Sequence, residues 1–97
     1  MSFSNELMAS ELERMTILFE ECAEVIQVIG KIIRHGYESK HPEGTQTNRD
    51  LLNMEIGHVV QAVTMMSRAG DIDMKMIEKS AEEKMEKIKQ YLHHDEE

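Results

Sequence analysis

LLNMEIGHVVQAVTMM, residues 51–66, is the stretch whose reading decides the fold. Leu51, Leu52, Met54, Ile56, Val59, Val60, Ala62, Val63, Met65 and Met66 recur at helical spacing and form a broad apolar face. At about 100° per residue, Glu55 and His58 project inside that face, between Leu51, Ala62, Met65 and Met66. An ionised carboxylate removed from water costs several kcal/mol unless something compensates it. A purely structural core would carry Leu at position 55. The Glu therefore predicts a buried polar site.

The ends of this helix are marked by local chemistry. Thr47 with Asp50 three residues later is a capping pair that opens it, and Gly70 after Ala69 stops it. Upstream, residues 36–46, GYESKHPEGTQ, carry Pro42 and two Gly and read as a loop. Before the loop, residues 4–35 show helical periodicity with room for an irregular start, and they end at Gly36 after Arg34 and His35, which suit a helix C-terminus. Downstream, Asp71 or Asp73 can cap a third helix reaching about Leu92, with the tail HHDEE, residues 93–97, frayed. No strand pattern, repeat or low-complexity segment interrupts this order. The expected fold class is all-α, a bundle of three main helices in a single domain over residues 1–97.

Composition narrows the function classes. A chain of 97 residues makes one small domain with a thin core, so self-association is expected. Acidic residues number 19 against 11 basic, a formal charge of -8, which argues against a nucleic-acid polymer as main partner. A small phosphate ligand held through a metal remains compatible with that charge. Cys22 is the single cysteine and cannot form an internal disulfide. With neither a signal-peptide pattern nor a long apolar run, the expectation is a cytoplasmic, soluble protein without membrane contact. Nine Met and no Trp fit adaptable helix-on-helix packing.

The matching acids lie on the first helix. Glu20, Glu21 and Glu24 share one arc of roughly 100°. Met15, Leu18, Phe19, Cys22, Val25, Ile26, Ile29 and Ile33 occupy the opposite face, which reads as the core stripe. Ile17 and Val28 bracket the acids, so the acidic arc is expected to point into a cleft. Antiparallel packing of the first two helices brings Glu21 and Glu24 towards Glu55 and His58, each pair spaced i, i+3. Several carboxylates in a partly dry cleft repel one another. A divalent cation relieves that repulsion, with Mg²⁺ the first choice for an oxygen-rich site and Mn²⁺ next. Simpler readings exist for each part. An EExxE cluster is commonly a solvated face, Glu55 could pair with Lys84 or Lys87, and His58 could be a hydrogen-bonded core histidine. The joint pattern favours the metal.

Glu20-Glu21-Cys22-Ala23-Glu24 followed, after a helix-loop-helix gap, by Glu55-Ile56-Gly57-His58 resembles the EExxE…ExxD signature of the MazG-like all-α nucleoside triphosphate pyrophosphohydrolases. FEECAEVIQ, KIIRHG and TNRDLLNMEIGHVV are similar to the small phage and bacterial members, and the resemblance covers roughly residues 10–92. It implies a helical bundle that forms a homodimer or homotetramer. It implies cleavage of a nucleoside triphosphate, often a deoxynucleotide, to monophosphate and pyrophosphate with Mg²⁺ or Mn²⁺. Glu21, Glu24 and Glu55 match the family's metal ligands, and Glu20 matches an extra glutamate that holds a second ion or orients the attacking water. His58 stands where the family has Asp, which lowers the site's negative charge by one and is expected to weaken Mg²⁺ binding or shift preference towards Mn²⁺.

In that reading, Glu20 or Glu21 positions the water, and basic side chains offset the charge of the leaving pyrophosphate. Lys31, Arg34, Arg49, Lys84 and Lys87 are the candidates, Lys31 first because it lies about two turns beyond Glu24 on its side of the helix. Asn48 could contact base or sugar, or cap the second helix. Two alternatives stay open: a helical interaction module whose acidic face binds a basic partner, and a nucleotide-binding protein that does not cleave, because of His58.

Overall fold

The computed structural model describes residues 4–94. Three helices follow in order: α1 (Ala9–His35), α2 (Asn48–Ala69) and α3 (Met74–Ile88). No helix among the described residues is long and apolar enough to cross a membrane.

The helix ends follow the local chemistry closely. Thr47 Oγ1 accepts from Asp50 N at 3.0 Å, and the Asp50 carboxylate accepts from Thr47 N at 3.0 Å. Two otherwise orphaned donors are thereby satisfied, and the same contacts hold the Asp50 carboxyl below its usual range. Gly70 closes α2 in the left-handed region at φ 85°, where a side chain would be strained. Other ends differ from expectation. α1 begins at Ala9, because the preceding segment turns at Glu6, whose φ is 60°, and Ser4 and Asn5 accept the next backbone N–H groups. Asp73, not Asp71, caps α3. α3 stops at Ile88, short of Leu92, and a turn through residues 89–91 follows. Residues 95–97 of the expected frayed tail lie outside the described residues.

α1 and α2 form an antiparallel hairpin. Its two ends are pinned: Asn48 Nδ2 donates to Gly36 O at 3.1 Å at the loop end, and Arg14 grips Asp71 at 2.6 and 3.1 Å at the other. That grip is why Asp71 is unavailable as a cap, and the guanidinium holds its carboxyl low. The seam runs along Arg14, Leu18, Glu21, Val25, Val28 and Ile32 of α1. On α2 it runs along Asn48, Leu52, Glu55, Val59, Ala62 and Met66. Both sets advance in alternating steps of four and three residues, the spacing of a coiled-coil seam.

This seam corrects the expected core stripe of α1. Leu18 and Val25 are partly buried, but Met15, Phe19, Cys22, Ile26, Ile29 and Ile33 are exposed, with Phe19 at 74% and Ile33 at 79%. They lie about a quarter-turn round the helix from the seam. α3 barely touches the hairpin and contains no buried residue. The radius of gyration, 17.3 Å, accordingly exceeds the ~12–13 Å of a compact chain of this length.

Candidate metal centre

Midway along the hairpin the seam changes from apolar to acidic. Glu21 of α1 and Glu55 of α2 are seam residues, so antiparallel packing drives both carboxylates inward. Glu24 and His58 sit one turn further round on the same side of the hairpin. One ligand atom from each of Glu21, Glu24, Glu55 and His58 falls within 4.8 Å of the other three. Oxygen ligands stand 2.0–2.6 Å from Mg²⁺ or Ca²⁺, so atoms this close can share one ion.

The burial is graded. Glu55 is only 8% exposed, Glu21 is half-buried, and Glu24 and His58 face solvent. The cluster is therefore closed by the seam on one side and open on the other, so the expected cleft is half-open. Ile17, expected to bracket the acids, is 40% exposed.

Glu21 Oε2 and Glu55 Oε2 are buried without a hydrogen-bond partner. His58 Nδ1 lies 3.3 Å from the first and 3.4 Å from the second, near enough for charge attraction when protonated but outside hydrogen-bonding geometry. Sharing a hydrogen bond with Glu55 raises the Glu24 carboxyl above its ordinary range, with repulsion from Glu55 and burial adding and His58 opposing. Two buried oxygens without a hydrogen-bond partner, beside a third carboxylate whose ionisation its neighbours disfavour, describe a site crowded with negative charge.

The other predicted site residues do not share one place. Glu20 neighbours the cluster on α1 but is exposed and supplies none of the four converging atoms. Lys31, Arg34 and Asn48 line a cleft of about 870 Å³ at the loop end of the hairpin. Arg49 is not there: it stacks on Tyr37 at 4.2 Å and pairs with Glu38 at 2.7 Å. Lys84 and Lys87 lie on exposed α3 and do not come to Glu55 in the same chain, because α3 does not pack on the hairpin. Tyr91 is exposed.

Two residues absent from the sequence reading, Lys40 and His41, enter the same cleft from the loop. The available signal was positive charge next to Pro42 in a chain that is otherwise acidic.

No curated protein and no solved structure matches the chain. Residues 9–93 match the family model described as the MazG nucleotide pyrophosphohydrolase domain. The match spans most of the sequence and contains all four members of the acidic cluster, so the chain belongs to the MazG nucleotide pyrophosphohydrolase domain family.

Proposed function

We propose that this protein is a divalent-metal-dependent pyrophosphohydrolase that splits a nucleoside triphosphate, a deoxynucleotide among the natural choices, into monophosphate and pyrophosphate. The observation that carries this reading is the pair of buried, unpartnered oxygens on Glu21 and Glu55, converging with Glu24 and His58 in a chain of this family. A buried carboxylate oxygen left without a partner costs about 1–3 kcal/mol or more, and a captured cation removes that cost. The donor set, three carboxylates and one imidazole, suits Mn²⁺ and admits Mg²⁺.

Glu21, Glu24, Glu55 and His58 hold the cation. When bound, it supplies Lewis-acid polarisation of the α-phosphate and offsets negative charge on the departing pyrophosphate. Glu20 is exposed beside the cluster, where a carboxylate can orient a water and accept its proton, and Glu21 reaches the cluster from the seam to share that role. Lys31 and Arg34 face the phosphates from the cleft, and Asn48 fixes the loop end by its bond to Gly36 O. The acidic surface is consistent with a free nucleotide, not a polymer, as substrate, acting in the cytoplasm.

The active species is a homodimer or homotetramer. A single chain exposes 8362 Å², against roughly 5,700 Å² for a compact monomer of this mass. The exposed stripe of α1 and the unpacked α3 account for the excess.

A panel of deoxynucleoside triphosphates, assayed for pyrophosphate release with Mg²⁺ and Mn²⁺ compared, tests the reading. Metal-dependent release abolished by Glu24→Ala supports it, and retained turnover in that variant refutes the site. A second reading has one observation in its favour. His58, placed between two carboxylates where the family carries Asp, can neutralise them itself when protonated, giving a protein that binds nucleotide without cleaving it. Nucleotide-induced stabilisation with no pyrophosphate release from any substrate selects that reading.

A further inference from the structure

We propose that the loop cleft holds the β- and γ-phosphates of the substrate, and that Lys40 and His41 bind them together with Lys31 and Arg34. The inference deepens the hydrolase reading and rests on it. Its first support is position. Leu51 lines the cleft and lies one turn from Glu55, roughly 6 Å along the helix. Lys31 and Glu24, like Leu51 and His58, are seven residues apart, so each pair shares a helix face. The cleft therefore opens on the same side of the hairpin as the acidic cluster and begins about where a triphosphate leaves it.

The second support is charge. The chain carries a net -8, yet the cleft walls bring together Lys31, Arg34 and Lys40 with one carboxylate, Glu43. Basic residues at the end of α1 could be there to complement the helix dipole. That explanation does not reach Lys40 and His41, which belong to the loop.

The third support is preorganisation. Loops of about 12 residues without regular structure are uncommon in compact domains and are usually functional. This one is closed by its own backbone: Lys40 bridges Thr47, Asn48 N donates to Ser39 O and Arg49 N to Tyr37 O, each at 2.9 Å, and Gly44 N donates to His41 O at 2.9 Å. His41 Nδ1 accepts from Glu43 N at 3.2 Å, which puts the neutral ring's proton on Nε2 as a donor. A base would need a ring to stack on. No Phe, Tyr or Trp lines the cleft, and Tyr37 is already covered by Arg49.

The test is calorimetric titration of the full chain with inorganic pyrophosphate in the presence of Mg²⁺, beside a Mn²⁺-induced thermal shift. The double substitution Lys40→Gln and His41→Gln alters exposed loop residues and is expected to weaken pyrophosphate binding at least ten-fold, about 1.4 kcal/mol. The Mn²⁺ shift is expected to match the parent's. Unchanged pyrophosphate affinity in the variant overturns the inference, as does competition for the cleft by a deoxynucleoside that lacks phosphate. A parent that shows the Mn²⁺ shift but does not bind pyrophosphate also overturns it and leaves the metal centre intact. Conversely, no Mn²⁺ shift and no hydrolysis, with pyrophosphate binding that still depends on Lys40 and His41, defeats the hydrolase reading and retains the anion cleft.

Discussion

Glu55→Leu should make the metal-free protein more stable while removing its function. Glu55 occupies a seam position between Leu52 and Val59 on α2, is 8% exposed, and leaves Oε2 without a partner. Leu has a similar volume. Burying it adds ~1.5–3 kcal/mol of apolar transfer energy. Removing an unsatisfied buried oxygen adds ~1–3 kcal/mol. Imperfect fit against Glu21 and the half-open side of the site reduces the sum, so a net gain of about 2–3 kcal/mol is expected, within the range seen when buried ionic groups give way to hydrophobic ones. At ~4–8 °C per kcal/mol for a domain of this size, Tm in EDTA should rise by about 8–24 °C. The assay is thermal unfolding followed by circular dichroism at one fixed chain concentration, because the proposed oligomer would make Tm depend on concentration. Saturating Mn²⁺ at a hundred times Kd should stabilise the parent by ~2.7 kcal/mol and the variant not at all. The two curves then nearly coincide in Mn²⁺ and separate in EDTA. A variant less stable than the parent in EDTA would show that Glu55 is a satisfied structural residue, and a preserved Mn²⁺ shift would show that it is not a ligand.

His58→Asp should keep or improve Mg²⁺-dependent turnover, since a fourth carboxylate strengthens a hard-ion site; a large loss in pyrophosphate release would reveal a separate role for the imidazole. The metal-free protein should lose stability as pH rises. The raised Glu24 carboxyl favours the folded state while protonated, and that contribution disappears as pH climbs through its folded pKa, whereas Asp71, held low by Arg14, contributes above its unfolded pKa and loses this as pH falls. Tm in EDTA should therefore peak in mild acid, Mn²⁺ should flatten the alkaline side, and a decline on that side equally steep with Mn²⁺ would count against shared charge as its cause. Ile26→Glu places a charge in the middle of the exposed α1 stripe and should dissociate the proposed oligomer; sedimentation of the parent as an 11.2 kDa species would refute that proposal.

What could be read from the sequence was what local chemistry decides. Thr47 with Asp50, Gly36 and Gly70 set helix ends through contacts within a few residues, so their positions follow from residue type alone. Glu55 and His58 were legible because a charge inside an apolar stripe has few explanations. The inward face of α1 was not legible, because the helix carries two stripes with the same alternating spacing. Met15, Phe19, Cys22, Ile26, Ile29 and Ile33 form the more apolar one, and hydrophobicity alone selects it as the core. The hairpin instead uses Arg14, Leu18, Glu21, Val25, Val28 and Ile32, a seam interrupted by two charges.

The reason lies in what each stripe must meet. Arg14 needs Asp71 to close the hairpin, and Glu21 must face Glu55 to build the acidic cluster, so the polar seam is fixed by partners in the same chain. Among the described residues the apolar stripe has no partner that matches it in length, since α3 is short and stands away. Lys40 and His41 were hidden for a related reason. Their approach to Lys31 depends on the Lys40–Thr47 bridge, a contact between backbone groups that no pattern of side chains announces. A chain this small thus spends its internal seam on charged residues and leaves its most apolar stripe exposed, which is why hydrophobic patterning located the helices correctly and oriented the first of them wrongly.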